Sequence, residues 1–249
     1  MSKIEQAVKK LESARAQSES APAPRVVKGA PTGQISDRII AFHSPSTALA
    51  ENFKQFNTVI RAMTQGAAHS IAFTSATDGE GKSVVAANFA VALAADSEGE
   101  VCLVDADLRN PSLHKLMGQT NAAGLSEALR GTVPVGDVCL GTAIERLKLV
   151  PAGTIPHNPS ELFRSRKFGQ VLEELRASFE FVVFDTAPVL PAADTIHLGE
   201  QIDAMVFVIK AAQTHRRQAA RAVELLSHTN VLGFILNQME PDKSVKESQ

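Results

Sequence analysis

Residues 71–84 constrain this chain more than any others. A stretch with strand character, Ile71-Ala72-Phe73-Thr74, runs directly into Ser75-Ala76-Thr77-Asp78-Gly79-Glu80-Gly81-Lys82-Ser83, and helical periodicity begins at Val84. Strand, glycine-bearing turn, Gly-Lys-Ser and helix, in that order, make a loop whose backbone N–H groups converge on phosphate oxygens, provided no side chain blocks them. Gly79 and Gly81 keep that approach open, and the helix start adds positive potential. The spacing assigns Asp78, Gly79, Glu80, Gly81, Lys82, Ser83 and Val84 to nucleotide contact, with Lys82 bridging the terminal phosphates of ATP and Ser83 offering its hydroxyl to Mg²⁺. Ala76 stands where the usual pattern has its first glycine.

Two further strand ends strengthen that assignment. Cys102-Leu103-Val104-Asp105-Ala106-Asp107-Leu108-Arg109 sets two carboxylates two residues apart where an apolar run stops, and Phe181-Val182-Val183-Phe184-Asp185-Thr186 ends another run in one carboxylate. In open parallel sheets ligands sit at these carboxyl ends, so Asp105, Asp107 and Asp185 converge with Ser83 as candidate Mg²⁺ partners. Apolar runs at 71–74, 101–104, 147–150, 181–184, 204–209 and 231–236 alternate with helical segments at 83–95, 125–130, 165–178 and 215–227. That alternation predicts an α/β fold built on a parallel sheet covered on both faces. A further helix, capped by Ser44-Pro45-Ser46, runs through Phe53, Phe56 and Ile60 and ends near Gly66.

Composition excludes several classes. Of 249 residues 44% are hydrophobic, and Lys plus Arg at 25 nearly cancel Asp plus Glu at 27, so no global field would hold a nucleic acid. Cys102 and Cys139 lack a CxxC partner and the seven histidines lack ligand spacing, which encodes neither a disulfide framework nor a zinc site and suits the cytosol. No apolar run approaches the ~20 residues that span a bilayer. Residues 1–40 read as an amphipathic helix, with Ile4, Val8 and Leu11 on one stripe, followed by a linker from 18 to about 40. The stripe suits a partner, a membrane surface or the chain's own domain alike. Residues 41–240 form the nucleotide domain and 241–249 a short polar tail.

The deviant loop (76–83), Asp105-x-Asp107-x-Arg109 and Asp185-Thr186-x-Pro188 together resemble the bacterial tyrosine kinases of polysaccharide synthesis and export. The resemblance extends through Asn110-Pro111-Ser112-Leu113, Gly124-Leu125-Ser126, Pro151-Ala152-Gly153 and Asn158-Pro159-Ser160-Glu161-Leu162 to Gly233-Phe234-Ile235-Leu236-Asn237, so it covers about residues 45 to 240. It implies a P-loop fold of the ParA/MinD-like superfamily with Lys82, Asp105, Asp107 and Arg109 as catalytic residues. Asp105 would be the base, Asp107 its aid or a metal ligand, and Asn237 an adenine contact. It also implies a membrane activator of the chain-length-determinant class, a polysaccharide co-polymerase that would bring a cytoplasmic protein to the inner membrane. The partition and division-site ATPases share fold and loop but carry an early lysine where this chain has Thr77.

Three features depart from the family. Tyrosine is absent from all 249 residues, so autophosphorylation on tyrosine is impossible. The family's ring-forming Glu-x-x-Arg-x-x-Arg becomes Glu51, Lys54 and Asn57, which loses the bidentate forks that fix ion pairs between subunits and weakens the case for a homo-oligomeric ring. Asp78 replaces a proline beside the phosphates and either caps the turn or weakens ATP. Three activities remain open on the sequence: transfer to tyrosines of another protein, an ATP-driven switch acting on the membrane partner, and a positioning ATPase.

Overall fold

Seven strands form one sheet in the order β3-β4-β2-β5-β1-β6-β7 in the computed structural model, which describes residues 33–64, 66 and 69–239. The strands are β1 (Ser70–Ser75), β2 (Val101–Ala106), β3 (Leu140–Gly141), β4 (Leu147–Val150), β5 (Phe181–Thr186), β6 (Ala204–Lys210) and β7 (Val231–Asn237). All pair in parallel except β3, a two-residue antiparallel strand on the edge beside β4. Of the amphipathic helix and linker expected at 1–40, residues 1–32 lie outside the described residues, as does the whole of the tail expected at 241–249.

Alternate residues of the strands feed two cores. Ala72, Cys102, Val104, Val182 and Phe184 face one side, under α5 (Leu125–Arg130), α7 (Arg166–Ser178), α8 (Asp194–Gly199) and α9 (Arg216–Leu225). Ile71, Phe73, Val101, Leu103 and Val183 face the other, under α1 (Ile40–His43), α2 (Ala48–Met63), α3 (Lys82–Asp96) and α4 (Leu113–Leu116). The short α6 (Pro159–Arg164) contacts α8. Because both faces are covered, every residue of β1, β2 and β5 is buried, which is why these strands read as unbroken apolar runs.

α3 is buried from Val85 to Ala94, and its alanines let it lie close against the sheet. α2 covers it from outside. Phe56 of α2, Phe73 of β1 and Phe89 of α3 form a triangle with ring centroids 5.2 to 6.3 Å apart. Such ring pairs contribute about 0.5–1.5 kcal/mol each beyond their burial. Thr47, not the Ser44–Ser46 stretch, caps α2 by accepting a hydrogen bond from the Ala50 N–H at 3.3 Å.

Packing begins earlier than a linker running to residue 40 would allow. Ile35 and Ile39 are buried in the α3-side core, and backbone bonds run from Gly33 N–H to Gly118 O (3.0 Å) and from Ser36 N–H to Leu116 O (2.9 Å). Residues 33–41 therefore form a strap laid across α3 and the segment that follows β2.

Candidate functional site

The phosphate loop joins β1 to α3. Gly79 (φ 79°) and Gly81 (φ 90°) both take left-handed backbone, the region glycine adopts at no steric cost, and Gly81 caps α3 so that Lys82 is its first residue. Ala76 in the usual glycine position causes no conflict, because its φ is not positive; it is fully buried and its carbonyl accepts from Leu190 N–H at 3.2 Å. Glu80 points inward, and its carboxylate accepts from the Thr77 N–H (3.2 Å) and hydroxyl (2.7 Å), which bends the loop back on itself. Asp78 is exposed and makes no hydrogen bond or ion pair among the described residues, so it does not cap the turn.

The parallel register gathers the carboxylates. Asp105 of β2 lies opposite Asp185 of β5, on the face that carries α3, and Asp107 follows directly after β2. Lys82 reaches across to them, its Nζ 2.8 Å from Asp107 Oδ2 and 3.9 Å from Asp185 Oδ1. Burial alone would lower the Lys82 ammonium, but Asp185 and Asp107 outweigh it and hold the group above the ordinary lysine value. Burial pushes Asp185 up to about 6, opposed by Lys82. Burial, then the Asp185 charge, raises Asp105 well above the ordinary carboxylate range against two backbone hydrogen bonds.

Two of these side chains also shape the loop after β2. Asp105 Oδ2 accepts from the N–H groups of Ser112 (3.0 Å) and Leu113 (2.9 Å), and Asp107 Oδ1 accepts from that of Asn110 (2.9 Å). Arg109 turns away from the phosphate loop. Its Nε and Nη2 grip both oxygens of Asp194 at 2.6 and 3.1 Å, and the Ser160 hydroxyl donates to the same carboxylate. Through Asp194 it stakes the loop to α8 and, by way of Ser160, to α6; Asp194 was not named in the sequence reading, and Ser160 only as part of a family motif. Asn237 ends β7 beside the phosphate loop, with Nδ2 donating to Glu80 O at 2.9 Å.

The donor set suits a hard cation held partly by phosphates. Both oxygens of buried Asp185 and Oδ1 of Asp105 lack hydrogen-bond partners, a costly arrangement unless something else engages them. Among the described residues no group of three or more His, Cys, Asp or Glu side chains is arranged to hold a metal alone. Mg²⁺ needs no such cage, since it binds through one or two carboxylates plus phosphates and water. The ring-helix positions are engaged within the chain: Glu51 pairs with Lys54 at 3.1 Å, and buried Asn57 accepts from Arg61 Nε at 3.3 Å.

A mostly parallel sheet with this loop at β1 and carboxylates at the ends of β5 beside it and of β2 one strand further out defines a nucleotide-binding P-loop NTPase of the ParA-like group. The ParA family model, described as an NUBPL iron-transfer P-loop NTPase, matches residues 66–241. The tyrosine-protein kinase YwqD of Bacillus subtilis is 35% identical over 207 residues, spanning 82% of this chain and 87% of the relative. The crystal structure of the chimerical protein CapA2B2 superposes with a TM-score of 0.78 at 30% identity, covering 92% of this chain and 98% of that one. The kinase domain of the Escherichia coli tyrosine kinase ETK superposes with a TM-score of 0.76 at 27% identity, covering 81% and 80%. Within the ParA-like group, the chain belongs to the bacterial tyrosine kinase family. No helix among the described residues is long and apolar enough to cross a membrane.

The position of Asp185 gives a pH signature. Its carboxyl ionises near 3.8 when exposed and near 6 in the folded protein, so the folded state holds the proton longer and the ligand-free protein loses stability as pH rises from about 4 through about 6. A metal held by Asp185 would compete for the same oxygens and need them deprotonated. Affinity for Mg-ADP is therefore expected to strengthen as pH rises through about 6 and then level, and Asp185→Asn is expected to lose that part of the slope. Titration calorimetry from about pH 5 to 8 on both proteins checks this; parallel pH profiles would refute it.

Proposed function

We propose that the protein binds Mg-ATP and transfers the γ-phosphoryl group to tyrosine of another protein, within exopolysaccharide polymerisation or export. A membrane partner of the chain-length-determinant class would be its activator. The observation that carries this reading is the meeting of Lys82, Asp105, Asp107 and Asp185 at one sheet edge in a chain that has no tyrosine of its own.

In this reading the loop amides of residues 79–83 and the Lys82 ammonium hold the phosphates, which requires Lys82 to exchange Asp107 for phosphate oxygen. Ser83 and Asp185 would hold Mg²⁺, with Asp107 beside them; the ion supplies positive charge to the phosphates when bound. The acceptor phenol forms a bond to the γ-phosphorus, the bond from that phosphorus to the β–γ bridging oxygen breaks, ADP leaves with the electron pair, and the phenolic proton passes to Asp105. Two backbone amides fix Oδ2 of Asp105, so Oδ1 is the atom left to accept it. The raised ionisation of Asp105 makes it a stronger base than a surface carboxylate, narrowing the gap to a phenol of pKa about 10.

A second reading, an ATPase switch acting on the membrane partner, draws on the same absence of tyrosine. A ParA/MinD-type positioning role is disfavoured by Thr77, whose side chain is spent on Glu80 inside the loop. Incubation with Mg²⁺ and γ-labelled ATP, with and without a membrane extract of the source cell, separates these readings. Label on tyrosine of an extract protein, none on the protein itself, and loss of label but retained nucleotide binding in Asp105→Asn is the expected result. Free phosphate without labelled tyrosine would replace transfer by the switch.

A further inference from the structure

The phosphate loop has an opening on each side. One, of about 210 Å³, is lined by Thr77, Gly79, Lys210 and Thr214 and lies towards the β6–β7 side where Asn237 stands. The other, of about 330 Å³, lies between the first turn of α3 and the segment after β2, and its charged lining is Arg38, Asp78, Lys82 and Lys115. That segment is the one rooted on Asp105 and Asp107 through the amides of Asn110, Ser112 and Leu113. If Asn237 marks the nucleoside side, as the family resemblance implies, the larger opening is the one left for an acceptor to reach the terminal phosphate.

The cations of this opening are not equivalent. Lys82 is committed to Asp107, and nearby Arg109 is committed to Asp194. Arg38 and Lys115 are exposed, and among the described residues neither side chain has an ion pair or hydrogen bond. Their placement is nevertheless built. Asn88 of α3, only 1% exposed, donates to Arg38 O (3.0 Å) and Val84 O (2.8 Å) and accepts from the Ala41 N–H (2.9 Å). Arg38 is thereby fixed over the start of the helix that carries Lys82, and Lys115 projects from α4 on the opposite wall, itself bonded to the strap through Leu116 O.

Resting on the tyrosine-transfer reading, we propose that Arg38 and Lys115 are a docking pair for acidic residues flanking the acceptor tyrosine of the partner protein. The acceptor must come from another chain, because this one has no tyrosine. An acidic segment approaching bound phosphates and Asp78 meets repulsion, and two unpaired cations at the mouth of the route offset it. A neutral segment gains nothing from them, and a basic one is repelled.

The test uses two fluorescent peptides with one central tyrosine, flanked by glutamates in one and by glutamines in the other. Binding is read by anisotropy to the full chain with Mg²⁺ and AMP-PNP, and transfer by label from ATP. Two exposed ion pairs predict about fivefold tighter binding of the glutamate peptide, a preference that fades at about 0.5 M salt and in Arg38→Gln/Lys115→Gln. Equal binding of the two peptides by the unsubstituted protein would overturn the proposal. So would a double variant that keeps the preference, including one that instead loses affinity for AMP-PNP, which would assign both cations to the nucleotide. Preferential binding without label on tyrosine would uphold docking and refute transfer; label without charge preference would do the reverse.

Discussion

Lys82→Ala is expected to reduce ATP turnover by about 10²–10³-fold, the usual loss when a positioned charge is removed from the phosphates. The structure adds a second effect that makes this variant more than an inert control. In the ligand-free protein the Lys82 ammonium lies 2.8 Å from Asp107 and 3.9 Å from Asp185, with Asp105 opposite Asp185 in the sheet. Removing it leaves three buried carboxylates with no cation among them. Breaking a buried ion pair costs about 3–5 kcal/mol when the remaining charge cannot neutralise. Here the carboxylates can take up protons, since burial already raises Asp185 and Asp105. The deficit is therefore smaller in acid and grows as pH rises. Thermal unfolding at about pH 6 and pH 8 is expected to show a wider gap between variant and parent at the higher pH. Unchanged turnover would remove Lys82 from the phosphate site, and a gap independent of pH would refute the electrostatic account.

Gly124→Ala is expected to damage the fold although it lies outside the phosphate loop. The N-terminus of α5 is stitched to the loop after β4: Leu125 N–H donates to Pro151 O at 2.7 Å, Ser126 N–H to Ala152 O at 2.9 Å, and Asn121 exchanges two bonds with Gly153 at 2.8 and 3.0 Å. Gly124 has extended backbone that any residue adopts, so the constraint is space and not conformation. A β-carbon there would stand 1.9 Å from Pro151 O and 2.6 Å from Gly153 N, both backbone atoms that move only if the stitched segments part. Forced overpacking of this kind costs about 3 kcal/mol. For a domain of this size that is a fall of about 6–12 °C in melting temperature. Gly233→Ala in β7 meets nothing within 4 Å and serves as the neutral comparison. A Gly124→Ala melting temperature as close to the parent as that of Gly233→Ala would refute the clamp.

Much of the site was legible because its signals are local. Each apolar run that ends in a carboxylate is a few residues long, and strand parity alone places Asp105 and Asp185 on the face where α3 starts. The Gly-Lys-Ser loop fixed the position of α3 to within a residue. What escaped depends on distance along the chain. The guanidinium of Arg109 pairs with Asp194, 85 residues later, and nothing near either residue announces it. The sequence therefore offered Arg109 as part of the chemistry and gave no sign of the ion pair that also ties it to the scaffold. The one-turn helix α4 (Leu113–Leu116) is too brief for helical periodicity to register. Ile35 and Ile39 were passed over as linker in a stretch rich in glycine and proline, where irregular backbone leaves no periodicity to mark them as buried.

Asn88 has a mechanical consequence. One buried amide bonds to the backbone of the strap at Arg38 and Ala41 and to the backbone of α3 at Val84, a residue after Ser83. A displacement of the strap at Arg38 or Ala41 therefore bears directly on the first turn of α3, the turn that carries Lys82 and Ser83. The strap and the loop are in this sense joined through a single pivot, Asn88.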